Sequence, residues 1–185
     1  MTLTFKIIKE SLKILILASI LSSIGGVSLQ AIEKKLFLIL PLLILLPGLN
    51  NMIGSFGTIM SSKFTTLLFL GKINDKWWKS RDLITIMWTL LAVSLISAIY
   101  IGLLSNLIAY WRGFTITTEL ISKVLIVSLL ATLLLVTLII SISIIAGFRV
   151  YKKNKDPDNF LIPITTSIAD LGSMLIFSGL VYLLF

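Results

Sequence analysis

One acidic residue, Asp170, lies where a carboxylate is costly to place. The other seven of the eight acidic residues fall in or beside short charged segments. Asp170 stands about ten residues into the apolar run 160–185, which is about 15 Å along a helix and close to the midplane of a bilayer. An ionised carboxylate there costs about 2.5–3.5 kcal/mol on insertion scales. No basic residue lies at a matching depth, so we expect Asp170 to face a watery path, or else to be protonated and join helices by hydrogen bonds.

Polar and small side chains recur at helical spacing around Asp170 and in an earlier apolar run. Steps of three and four residues place these side chains on one stripe of the helix that holds Asp170: Asn159, Pro163, Thr166, Asp170, Ser173 and Phe177. In the run 36–70 the same steps join Asn50 or Asn51, Gly54, Thr58, Ser62 and Thr65. Such a stripe is also typical of close helix packing through small residues. Together with a midplane carboxylate, the two stripes predict a cation path between these helices.

The residue types available limit which ion could follow such a path. The chain has no Cys and no His, which removes the usual ligands of zinc, copper and haem iron. Carboxylate, amide, hydroxyl and carbonyl oxygens remain, and these are the ligands of Mg²⁺ and Ca²⁺. A single carboxylate is a poor site for a divalent ion, whereas two copies related by a two-fold axis supply two. We therefore predict a homodimer that holds a hydrated Mg²⁺ between its paired Asp170 side chains.

The elements that carry these residues are membrane-spanning helices. Apolar residues make up 57% of the chain and charged residues 13%, with a mean hydropathy of +1.08, against about 25% charged residues in ordinary soluble domains. We predict an all-α integral membrane protein whose single transmembrane domain covers residues 1–185, without a soluble regulatory domain. Its five spans are expected at about 12–31, 36–70, 83–110, 120–148 and 160–185. The second is too long for one straight crossing, so we expect a kink or short break near Pro47.

The distribution of basic residues predicts the orientation. Twelve of the sixteen fall on one side of the expected spans: Lys6, Lys9, Lys13, Lys63, Lys72, Lys76, Lys79, Arg81, Arg149, Lys152, Lys153 and Lys155. The remaining four fall on the other side: Lys34, Lys35, Arg112 and Lys123. The positive-inside rule then places the N-terminus in the cytoplasm and the C-terminus outside. The same rule accounts for the net charge of +8 in a protein of the cytoplasmic membrane that contacts lipid, so we expect no nucleic-acid partner.

Two segments resemble the signatures of a known family. Residues 41–71, PLLILLPGLNNMIGSFGTIMSSKFTTLLFLG, resemble the second-helix signature of the MgtE magnesium channels and of the related eukaryotic solute carriers. Residues 156–172, DPDNFLIPITTSIADLG, resemble the fifth-helix signature, with an Asp-Pro at the cytoplasmic mouth, a helix proline and a deep Asp followed by Gly. The resemblance implies a five-helix membrane domain that transports Mg²⁺ as a dimer.

The resemblance also implies roles for individual residues. Asp170 would be the central pore carboxylate, and Asp156 and Asp158 would lie at the cytoplasmic mouth. Asn50, Asn51 and nearby small residues would line the path, although the cluster Gly48-Leu49-Asn50-Asn51 leaves open which Asn faces the pore. Bacterial MgtE also has cytoplasmic magnesium-sensing and CBS domains, and the solute carriers fuse two membrane halves. This chain resembles one unfused half without those domains.

Two other functions remain open from the sequence. A non-transporting membrane scaffold would use Asp170 to hold helices together, and a proton-coupled carrier would use it as a proton site. An enzyme is not expected, because the one deep ionisable group has no base, nucleophile or metal-binding neighbour in the sequence.

Overall fold

The computed structural model describes residues 3–74 and 77–185. Asp75 and Lys76 of the charged loop lie outside the described residues, as do the side chains of residues 3–11, 13, 14 and 18, which include Lys6, Lys9 and Lys13 of the charge count. The described part is helical and contains no strand: α1 (Leu3–Gln30), α2 (Glu33–Leu38), α3 (Leu40–Phe69), a 3₁₀ turn (Trp77–Lys79), α4 (Arg81–Trp111), α5 (Thr118–Tyr151) and α6 (Asp158–Leu184). The predicted all-α class is confirmed.

Four of these helices, α3, α4, α5 and α6, are long and apolar enough to cross a membrane. They correspond to the second to fifth spans expected from the sequence, and the protein is a multi-pass membrane protein. The described apolar part of α1, Leu15–Gln30, is shorter than these four and shorter than the roughly 20 residues of a usual span. The first span therefore stays a prediction.

The second expected span is divided, but not at the expected place. Of the kink or short break expected near Pro47, the break is not found, because α3 continues as a helix through this proline, and the kink stays a prediction. The helix is interrupted instead at Ile39, whose φ of −120° and ψ of 83° separate α2 from α3. Pro41 sits in the first turn of α3, where its missing N–H costs no helical hydrogen bond.

The core lies around α3, which packs against α4, α5 and α6. One face of α3 is fully buried and apolar, with residues at steps of three, four and seven: Leu42, Leu45, Leu49, Ile53, Met60 and Phe64. Because lipid tails are as apolar as these side chains, close van der Waals packing holds the helices together. Asn50 and Ser61 of α3 lie on an adjacent face, towards α6.

Helix α6 packs against both α1 and α3, and it is parallel to α1 and antiparallel to α3. Along α3, Asn50 contacts Asp170 and Ser61 contacts Thr165, so these two helices are antiparallel. Along α1, Ser22 contacts Asp170 and Ser28 contacts Ser178, so α1 and α6 are parallel. Asp170 therefore has a neighbouring helix on two sides.

Candidate functional site

Asp170 lies in the middle of α6. It is 12 residues after Asp158, where α6 begins, and 14 residues before Leu184, where α6 ends. At 1.5 Å per residue these separations are about 18 Å and 21 Å. Its depth along the helix thus agrees with the depth estimated from the apolar run. Its side chain is half-buried.

Two neutral donors from two other helices bind the Asp170 carboxylate. Asn50 Nδ2 on α3 donates to Oδ1 at 2.8 Å, and Ser22 Oγ on α1 donates to Oδ2 at 2.9 Å. No Lys or Arg forms an ion pair with Asp170 in the described part of the chain. An ionised carboxylate offers about four acceptor positions, of which these donors use two. The carboxylate is thus hydrogen-bonded but has no cationic partner among the described side chains.

A further hydroxyl orients Asn50. Ser173, one turn beyond Asp170 on α6, donates its Oγ hydrogen bond to Asn50 Oδ1, and the same hydroxyl lies 3.0 Å from the Asp170 backbone carbonyl. With its oxygen accepting from Ser173, the Asn50 amide presents its NH₂ group to Asp170. Ser173 is fully buried, so this contact lies behind the carboxylate.

A polar groove of about 420 Å³ runs between α3 and α6 in front of Asp170. Its lining comes from both helices: Pro47, Asn50, Asn51, Gly54, Ser55, Thr58, Thr166 and Asp170. The structure thus brings together six residues that the sequence singled out, namely Asn50, Asn51, Gly54, Thr58, Thr166 and Asp170. Ser173 contacts this group from the buried side.

The other sequence-predicted residues lie elsewhere. Asp158 and Asn159 begin α6, about 18 Å along the helix from Asp170. Asp156 is exposed and lines a separate pocket of about 380 Å³ with Phe69 and Tyr151. It accepts a hydrogen bond from the Asp158 backbone N–H at 3.1 Å. Ser62 is half-buried on α3 but does not line the groove.

Small-residue packing and the polar groove involve different residues of the α3 surface that faces α6. A Cβ on Gly57 would lie 3.2 Å from Thr165 Cβ on α6, and Ser61 shares a hydrogen bond with Thr165 at 3.1 Å. A Cβ on Gly54 would meet nothing within 4 Å. Gly57 and Ser61 therefore serve close packing, while Gly54 opens onto the groove.

Ser22 is a residue of the site that the sequence analysis missed. Its partner Asp170 is 148 residues away, and no spacing within α1 marks this serine. A depth comparison could have found it, because Ser22 is about as far into the first apolar run as Asp170 is into its own. That comparison requires knowing that α1 and α6 are neighbours.

The donor set suits a hydrated cation better than a directly coordinated one. No group of three or more His, Cys, Asp or Glu side chains lies together in the described residues. One carboxylate with amide and hydroxyl neighbours can bind the water shell of an ion, and Mg²⁺ gives up its water reluctantly.

A comparison with protein families matches residues 46–180 to MgtE, described as a divalent cation transporter. This stretch is 135 of the 185 residues. The chain belongs to the MgtE family. No curated protein and no solved structure matches. The family supports divalent cation transport as the general activity of this chain.

The MgtE match covers the whole groove but not α1. All eight lining residues lie between 46 and 180, as do Asp156, Asp158 and Ser173. Ser22 lies outside it. The contact between Ser22 and Asp170 is thus a feature of this structure that the family match does not include.

The two neighbouring asparagines should differ in their importance for cation transport. Asn50→Ala removes a donor to the Asp170 carboxylate, a kind of hydrogen bond worth about 1.5–3 kcal/mol, and should lower divalent cation flux at least about tenfold. Asn51 is exposed and makes no side-chain hydrogen bond within the described residues, so Asn51→Ala should lower flux less than Asn50→Ala does. Uptake into liposomes that contain each purified variant measures both. Equal losses of flux in the two variants would show that transport does not depend on the Asn50–Asp170 hydrogen bond.

Proposed function

We propose that two copies of this chain form a dimer that passes Mg²⁺ across the cytoplasmic membrane along the groove between α3 and α6. The observation that carries the proposal is the half-buried Asp170, which lies at mid-depth on the wall of a polar groove and whose partners among the described residues are all neutral. An unneutralised charge at that depth is unfavourable without a cation or water beside it. A hydrated divalent cation supplies both.

The dimer follows from the charge of the ion. One Asp170 neutralises half of a divalent charge, whereas two, facing across a two-fold axis, match it. The groove is open on one side, and a second groove facing it would enclose the ion. In this arrangement the two Asp170 carboxylates hold the water shell of Mg²⁺, and Asn51, Gly54, Thr58 and Thr166 line the path. Asp156 and Asp158 attract cations to its cytoplasmic mouth.

Contacts among the described helices support five crossings. Because α1 is parallel to α6 and pairs with it at Ser22–Asp170 and Ser28–Ser178, the apolar part of α1 lies at the same depth as the middle of α6. Helix α1 is then the first span, and the spans alternate in direction. This explains why α3 and α6 are antiparallel.

Basic residues at the two ends support a cytoplasmic N-terminus. Near one end, Lys35 Nζ lies 3.3 Å from the Tyr182 carbonyl, and Lys123 lies over the Phe185 ring. The opposite end holds the contact between Phe69 and Tyr151, beside the segment that contains Lys152, Lys153 and Lys155. The more basic end is the cytoplasmic one under the positive-inside rule.

A scaffold subunit is the second candidate function. The hydrogen bonds from Ser22 and Asn50 join α1, α3 and α6 at one level, which is what interhelical adhesion by a buried Asp would require. Transport differs from adhesion in needing an open, polar groove at the carboxylate, and this is why we favour transport.

The deciding experiment is flux through the isolated protein. Purified full-length chain in liposomes that contain a Mg²⁺ indicator should admit external Mg²⁺, while protein-free liposomes should not. The dimer should be visible by cross-linking in the same membranes. A scaffold would pass no divalent ion. A proton-coupled carrier would need a pH gradient, so uptake with equal pH on both sides distinguishes the proposed path from that alternative.

A further inference from the structure

Helix α1 reaches the Asp170 carboxylate through Ser22. We propose that Ser22 is a positioning residue, whose hydroxyl holds the Asp170 carboxylate in the orientation that receives the ion. The inference rests on the function proposed above and names a part of its machinery that lies outside the family match.

The first observation is the division of the two Asp170 oxygens between helices. Asn50 on α3 donates to Oδ1 at 2.8 Å and Ser22 on α1 donates to Oδ2 at 2.9 Å. With one donor on each oxygen, the carboxylate cannot rotate about its Cβ–Cγ bond without losing a hydrogen bond. Each oxygen keeps a further acceptor position. Asp170 lines the groove and Ser22 does not, so Ser22 acts on the ion only through the carboxylate.

The second observation is the close approach of α1 to α6, which brings Ser22 within hydrogen-bonding distance of Asp170. Gly25, three residues after Ser22 on α1, is buried against α6. A Cβ on Gly25 would lie 3.0 Å from Leu171 Cα and 3.1 Å from Met174 Sδ. The missing side chain therefore lets the α1 backbone contact the α6 backbone beside Asp170. A larger residue would move α1 away and lengthen the Ser22–Asp170 contact.

The adjacent glycine offers a matched control. A Cβ on Gly26 would meet nothing within 4 Å. Gly25→Ala and Gly26→Ala thus make the same chemical change, one residue apart on one helix, but only Gly25→Ala should alter the spacing between α1 and α6. A change in helix propensity alone would affect both variants alike.

The test compares Mg²⁺ dependence among four variants of the full-length chain in liposomes. Ser22→Ala and Gly25→Ala should raise the Mg²⁺ concentration for half-maximal uptake about three- to tenfold. This is less than the full effect of a lost hydrogen bond to a charged group, because Ser22 acts on the ion only through the carboxylate. Maximal uptake per folded protein should change less. Ser22→Thr keeps a hydroxyl donor and should restore the parent value, and Gly26→Ala should resemble the parent.

A purely structural role for Ser22 predicts a different pattern. Ser22→Ala would then lower the melting temperature or the yield of folded protein, and the half-maximal concentration would not change; that result overturns the inference. If Ser22→Ala does not fold, a half-maximal concentration for Gly25→Ala that equals the parent's would overturn the inference as well. A parent that passes no Mg²⁺ instead refutes the proposed function, which separates the two failures.

Discussion

Asp170→Asn should reduce Mg²⁺ uptake to the level of protein-free liposomes while leaving the fold intact. The substitution preserves size and removes the charge that attracts the ion. The new amide can direct its oxygen to Asn50 Nδ2, which can only donate. Its NH₂ group then faces Ser22, whose hydroxyl can turn to accept a hydrogen bond. The contacts to α1 and α3 are thus retained, and the loss of uptake is a loss of charge.

Asp82→Asn is the matched control for this result. Asp82 forms an exposed ion pair with Lys72 at 2.9 Å, and such surface pairs contribute at most about 1 kcal/mol. Its amide variant should take up Mg²⁺ as the parent does. Thermal unfolding in detergent and cross-linking of the proposed dimer should be alike for the parent and both variants. Normal uptake by Asp170→Asn would remove this carboxylate from the mechanism and leave the scaffold function as the better explanation.

Gly54→Leu should also stop Mg²⁺ uptake, for a steric reason. A Cβ at Gly54 meets nothing within 4 Å, and this residue lines the groove on the same helix as Asn50. A leucine side chain there would occupy the groove and present an apolar surface to a hydrated ion. Because the added atoms enter open space, the packing of α3 on α6 should not change. Uptake with an unchanged melting temperature is the measurement to make.

Gly57→Leu is the comparison that separates blocking from misfolding. A Cβ on Gly57 would lie 3.2 Å from Thr165 Cβ in the buried contact between α3 and α6, and overpacking of this kind costs about 1–3 kcal/mol. Its melting temperature should fall, whereas that of Gly54→Leu should not. Parental uptake by a folded Gly54→Leu protein would show that ions do not follow the groove.

The sequence predicted the depth of the site along its helices better than the contacts between those helices. The depth of Asp170 follows from counting residues in an apolar run, and the polar face of α3 follows from helical spacing. Both agree with the structure, in which Asn50, Gly54 and Thr58 lie opposite Thr166 and Asp170. Local periodicity is sufficient here because a helix fixes which residues share a face.

Contacts between distant segments could not be predicted in the same way. Ser22 meets Asp170 because Gly25 lets two backbones approach, which depends on helix neighbours that no spacing within α1 reveals. Sequence spacing also does not show which small residues of α3 are in close contact with α6, so Gly57 and Gly54 appear equivalent although one packs and one lines the groove. The helix is interrupted at Ile39, where the backbone angles are not helical, although nothing in the residue type marks this position. Pro47, which the sequence marks as a helix breaker, lies inside α3.

The position of Asp170 in the chain has a consequence for how the protein enters the membrane. Its two partners precede it by 148 and 120 residues, so both α1 and α3 are synthesised before α6. Chains emerge from the ribosome N-terminus first, and an isolated helix with a central Asp pays about 2.5–3.5 kcal/mol to insert. If α1 and α3 are already in place, Ser22 and Asn50 can receive the carboxylate as α6 enters. Helix α6, which carries Asp170, is therefore inserted last, when hydrogen-bond donors for its carboxylate are already present in the membrane.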